Sequence, residues 1–205
     1  APRPFDFWST MCNEGELLER FNIQLSPIPM PELIQAVKAA KAEKKEVAKT
    51  IRYIKKNMEV LVKPAELENV AALKVGMAHL IEKYGCNAAA IQCWNALQDE
   101  LHIMPCAANA LLNDEGIPVV CETDIHGAIT ALIVEAAGMG ETRSFFADWT
   151  IRHPDIKNGE LLQHCGPWPI SIAREKAKLT YPLAFDHPGS LTAEAKHGKL
   201  TLCRF

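Results

Sequence analysis

Three short segments carry the residue types best suited to chemistry. Asp99-Glu100-Leu101 offers Glu100, Cys121-Glu122-Thr123-Asp124-Ile125-His126-Gly127 offers Asp124, and Gln163-His164-Cys165-Gly166-Pro167 offers His164. Each places one hard or borderline ligand at an expected element end, giving two carboxylates and an imidazole. Such donors suit Mn²⁺ or Mg²⁺ better than a thiolate-type zinc site. Two carboxylates around a cation also suit the transfer of a proton between adjacent carbons.

Each residue has an ordinary alternative. Asp124 lies between an expected strand and an expected helix, where a helix N-cap is the plain role. Glu122 and Asp124 are two apart, so a regular strand would aim both at one face, where they repel unless a cation or shared proton intervenes. Glu100 follows the mostly apolar run Trp94–Asp99 and reads alone as a surface acid. His164 ends an expected strand, where a hydrogen-bonded imidazole is common. Adjacent strand residues point to opposite faces, so His164 is not expected to activate the Cys165 thiol. Cys93 and Cys121 read as core residues. The four tryptophans offer either packing or a platform for a sugar ring.

The elements that would position these groups follow from period and punctuation. Residues 1–8 read as a loop, Glu14–Phe21 as a helix and Asn22–Ile28 as a strand. Leu33, Ile34, Val37, Val47, Ile51, Ile54 and Met58 recur at helical spacing, an apolar stripe over one or two helices. The opposite side carries Lys38, Lys41, Lys44, Lys45, Lys49, Arg52, Lys55 and Lys56 with Glu43 and Glu46 interleaved, the pattern of a solvated face. Pro64 opens a helix that runs to about Tyr84 and closes at Gly85. Ala88–Cys93 reads as a strand, Pro105–Asn113 as a helix, and residues 113–116 as a turn. Ile117–Glu122 is expected as a strand and Gly127–Ala137 as a buried helix. Strand-like runs follow at Ser144–Thr150 and Glu160–His164. Leu191–Lys196 and Leu200–Phe205 then flank a hairpin at His197-Gly198.

This wiring predicts an α/β fold: a parallel-sheet segment over residues 1–115, then a mainly antiparallel β segment over 116–205. The chain reads as a fragment of a longer protein, with no strand before its first helix and a final hairpin left open at an edge. A net charge of −3 gives no electrostatic case for nucleic acid or an anionic membrane. No apolar run is long enough to span a bilayer. Seven cysteines without a C-x-x-C pair argue against a disulfide framework and favour a reducing cytoplasm.

Taken together, Gln92-Cys93-Trp94, Glu100, Asn113-Asp114-Glu115-Gly116-Ile117-Pro118, the Cys121–Ala128 segment and His164-Cys165-Gly166 resemble the L-fucose/L-arabinose isomerase family, closest to its fucose-isomerase-like branch. Arg3-Pro4-Phe5-Asp6 and Cys12-Asn13-Glu14 resemble a loop of that family's middle domain. The resemblance covers most of residues 3–170 and weakens from about 171. It implies an aldose–ketose isomerase that uses Mn²⁺, or another divalent ion such as Mg²⁺ or Co²⁺, and works through an ene-diol on an open-chain monosaccharide. Glu100 and Asp124 resemble the family's catalytic, metal-binding carboxylates and His164 its imidazole ligand, with Glu122 in a supporting position behind them. The resemblance implies that residues 1–115 belong to a Rossmann-like middle domain and 116–205 to the start of a barrel-like C-terminal domain. Family members are longer, carry a further amino-terminal α/β domain and a complete β-barrel, and form homo-oligomers whose sites are completed by neighbouring subunits. His126 stands where relatives commonly have an aromatic residue. Two other readings are a non-catalytic carbohydrate-binding or regulatory relative, and a metal-dependent lyase or epimerase acting on a similar substrate.

Overall fold

A computed structural model describes residues 5–182 and 186–205. Residues 1–4 of the expected opening loop lie outside these, and Phe5–Thr10 form a 3₁₀ turn rather than a loop. Helix α1 spans Glu14–Phe21; the Asn13 side chain accepts from Glu16 N–H, and Asn22 ends it in the left-handed region at φ 54°. The strand expected over Asn22–Ile28 does not form. Pro27, and Pro29 just beyond it, lack the N–H that a ladder needs.

The apolar stripe resolves into two helices, α2 (Met30–Ala40) and α3 (Lys44–Asn57). Met58, expected to continue the helical stripe, instead opens strand β1 (Met58–Val60). The lysines and the arginine of the basic face are all exposed, as the charge pattern predicts. Helix α4 (Pro64–Lys83) starts on a proline and has the Glu66 carboxylate accepting from Lys63 N–H at 2.7 Å. It runs through the centre of the core, burying Leu67, Val70, Leu73 and Met77. Gly76 is where α4 meets α2: a Cβ there would stand 2.9 Å from Val37 N.

Strands β2 (Ala89–Ala90) and β3 (Val119–Val120) pair in parallel. Helices α5 (Ala96–Leu101) and α6 (Cys106–Asp114) lie between them in sequence, followed by a turn at Gly116 with φ 81°. The Asn113 side chain behaves as an extra rung, accepting from Val119 N–H at 2.6 Å. Helix α7 (Ile125–Ala137) leads to an antiparallel ribbon of β4 (Asp148–Arg152) and β5 (Glu160–Gln163). Strand β6 (Ala177–Thr180), not foreseen from the sequence, pairs in parallel with β1 and antiparallel with β7 (Ser190–Thr192).

The architecture is therefore α/β, with parallel pairs and antiparallel ones, and no sheet among the described residues closes into a barrel. The β1–β6 pairing carries packing across position 116. So does Asp114, whose carboxylate accepts from Ile170 N–H and Ser171 N–H at 3.0 and 3.1 Å. The carboxy-terminal hairpin does not form: β7 spends its pairing on β6, and residues 200–205 hold no strand. Instead Phe205 N–H donates to Thr130 Oγ1 at 2.8 Å, laying the last residues along α7. No helix among the described residues is long and apolar enough to cross a membrane.

The α2–α4 contact sets a test of packing. Gly76→Ala must push its methyl against main-chain atoms that cannot rotate away, so a loss of about 1–3 kcal/mol is expected on urea unfolding.

Candidate metal centre

Parallel β2 and β3 end on the same side, the edge where α/β sheets commonly bind ligands. Ile91 N–H donates to Val120 O (2.9 Å) and Thr123 N–H returns to Ile91 O (3.0 Å), so the two strand ends are tied together. Beyond β3 the chain turns sharply: Glu122 and Thr123 sit at φ 64° and 52°. Left-handed geometry is costly for a non-glycine residue, more so for β-branched threonine. The Glu122 carbonyl is held by Thr10 Oγ1 at 2.9 Å. This turn aims Glu122 at a point shared with two residues from the β4–β5 ribbon.

Those residues are Asp148 and His164. Asp148 pairs with Gln163 in the ribbon, which brings Asp148 beside His164, the residue after β5. Glu122, Asp148 and His164 each offer a ligand atom, all within 4.8 Å of one another. His164 Nε2 lies 3.9 Å from Asp148 Oδ2 and is buried without a hydrogen-bond partner. The ring packs at 5.4 Å from Phe146, and its main-chain carbonyl accepts from Trp168 Nε1 at 3.1 Å. Phe146 N–H donates to Pro167 O at 3.2 Å, closing the base of the ribbon. Upstream, the buried Glu135 carboxylate of α7 accepts from Ser144 N–H and Oγ at 3.0 and 2.9 Å, fixing the entry to β4.

Of the three residues expected to converge, His164 enters this group. Asp124 takes the N-cap position of α7, accepting from Gly127 N–H at 2.9 Å. It is buried and forms a two-pronged ion pair with Arg204, whose Nη2 is 3.1 Å from Oδ1. Glu100 lies exposed near the end of α5 and is not part of the group. The shared strand face expected for Glu122 and Asp124 is not realised, because β3 ends at Val120 and the left-handed turn intervenes. Asp148 was not foreseen. Its signal is one acid in the apolar run Ser144–Thr150, and what makes it a candidate ligand is strand register, which one sequence does not display.

The electrostatics fit a cation. Burial raises the Glu122 carboxyl pKa; the nearby Asp148 and Asp124 charges raise it further, while His164 works in the opposite direction. Burial disfavours an imidazolium at His164, but its contact with Cys165 and then the Asp148 and Glu122 charges leave its pKa raised. Two carboxylates and a buried ring nitrogen with no partner form an oxygen-rich, one-imidazole donor set suited to a divalent ion.

The His164–Cys165 expectation needs correction. Both residues lie past the end of β5, so strand alternation does not separate them, and Cys165 Sγ stands 3.8 Å from His164 Nδ1. The Cys165 thiol is pulled down to about 5, chiefly by hydrogen bonding from Cys106 and, against the effect of burial, by His164.

No family model matches the chain. It is similar to the sulfoquinovose isomerase of Priestia megaterium, with 24% identity over 211 residues covering 98% of this chain and 45% of that protein. The sulfoquinovose isomerase of Alkalicoccus urumqiensis is 24% identical over 173 residues, 84% of this chain and 38% of its own length. The chain thus spans less than half the length of these curated relatives, and the likeness is to isomerases.

The cap role of Asp124 can be isolated. Both Asp124→Ala and Asp124→Asn lose the Arg204 ion pair but only Asn still caps, so Asp124→Asn should be the more stable of the two by about 1 kcal/mol in chemical denaturation.

Proposed function

We propose that this chain is the metal-bearing part of an aldose–ketose isomerase that acts on an open-chain monosaccharide. The observation that carries the reading is the meeting of Glu122, Asp148 and His164 within 4.8 Å, with His164 Nε2 buried and unpartnered. The chain's likeness to isomerases supports the reaction class; the donor set supports Mn²⁺, Mg²⁺ or Co²⁺ as the ion. A divalent ion there would polarise a substrate carbonyl and favour the charge of an ene-diolate.

The protein's own residues then divide the remaining work. His164 is oriented by Phe146 and by the hydrogen bond from Trp168 to its carbonyl, so its free nitrogen faces the two carboxylates. Glu122 is carried on a turn whose backbone is held at both residues, by Thr10 and by Ile91. Glu100 and Asp124 are proposed as the carboxylates that move protons between the sugar's first two carbons and their oxygens, the role the family resemblance assigns them. The intact protein is proposed to be a cytoplasmic homo-oligomer in which neighbouring segments complete the substrate pocket.

The assignment is tested on the full-length protein with Mn²⁺ and a panel of aldoses, reading ketose formation. Turnover supports the isomerase; saturable sugar binding without turnover would favour a carbohydrate-binding relative instead. Mn²⁺ titration separates the two ligand sets. Glu122→Gln, Asp148→Asn and His164→Ala should each weaken Mn²⁺ at least about tenfold, or ~1.4 kcal/mol. Glu100→Gln should retain the ion and lose turnover. If Glu100→Gln and Asp124→Asn lose the ion while Glu122→Gln and Asp148→Asn keep it, the metal is held by Glu100, Asp124 and His164 instead.

A further inference from the structure

Behind His164 lies a second chemical feature that metal binding does not use. Cys165 Sγ stands 3.4 Å from Cys106 Sγ, the first residue of α6. The two sulfurs come from positions far apart in the chain and meet because the backbone after Cys165 is pressed against α6. A Cβ on Gly166 would lie 2.0 Å from Cys106 Cβ, so only a glycine fits there. Cys165 is exposed, whereas Cys106 is fully buried. Cys93 and Cys121 are also buried.

We propose that Cys106 and Cys165 form a reversible disulfide: Cys165 is the thiol that meets the oxidant, Cys106 the one that resolves it. A disulfide needs an S–S distance near 2.05 Å, so the sulfurs must close by about 1.3 Å, within reach of side-chain rotation. The oxidant is a low-molecular-weight disulfide. Cys165 gives its proton to water as its sulfur attacks one sulfur of that reagent, breaking the reagent's S–S bond and releasing one thiolate. Cys106 then loses its proton, attacks Cys165 Sγ and expels the second thiolate; the two thiolates take up the two protons. The protein dithiol is oxidised by two electrons and the reagent is reduced to two thiols. Burial of Cys106 sets this order, because a solute meets the exposed Cys165 first. Closure draws Cys165 Sγ towards α6 and changes its 3.8 Å contact with His164 Nδ1.

Bridge formation requires neither metal nor sugar, so its test stands whether or not the isomerase reading does. The full chain is incubated with oxidised glutathione and peptide-mapped by mass spectrometry without reduction. Wild type should yield a Cys106–Cys165 bridge that dithiothreitol reverses. Cys106→Ala should stop at a glutathione adduct on Cys165, and Cys165→Ala, altered at an exposed position, should form no bridge to Cys106. A persistent adduct on wild-type Cys165, an unreacted Cys165, or a bridge from Cys165 to another cysteine would each overturn the pairing.

Discussion

The register of one exposed ribbon holds the centre together. Asp148 opposes Gln163, and that single pairing sets Asp148 next to His164 while Glu122 arrives from the other side on the turn after β3. A one-residue slip would turn Asp148 to the opposite face and break up the donor set. The ribbon has little core of its own, since every residue of β4 is exposed, and two isolated strands are only marginally stable in water. Its register is therefore enforced at the base, where Glu135 anchors Ser144, Phe146 bonds to Pro167, and the Trp168 indole holds the His164 carbonyl.

The helical layer serves this arrangement by fixing the ends of β2 and β3. Helix α4 fills the core, α6 delivers Asn113 to β3, and the paired strand ends carry the turn at Glu122 and Thr123. Two successive left-handed residues cost on the order of 1–3 kcal/mol each. The bonds from Thr123 to Ile91 and from Thr10 to Glu122 offset part of that cost and hold the turn that carries the Glu122 carboxylate. Gly127 matters for a similar reason: any Cβ would stand 2.6 Å from Phe146, the ring that packs on His164. Helix α7 and the imidazole are thus coupled through one aromatic side chain.

Local signals were legible wherever they were self-contained. Pro64 and Gly85 marked the ends of a helix, the stripe from Leu33 to Ile54 marked core-facing helical surface, and Asp124 carried the cap role that its strand–helix setting implied. His164 was found as a ligand type at a strand end. What stayed hidden depends on pairing between distant segments. Asp148 gains meaning only from its register with Gln163, β6 only from its partners β1 and β7, and the Cys106–Cys165 contact only from Gly166 lying on α6. The expectation for His164 and Cys165 failed through a shift of one position in where β5 ends.

Trp149 follows Asp148 directly and is 64% exposed, whereas Trp168, under the imidazole's backbone, is 5% exposed. An indole that looks into water emits at long wavelength. When another surface covers the ribbon, or when charge arrives at its foot, that emission must move. The fold therefore carries its own optical gauge of whether the ribbon is bare or clothed.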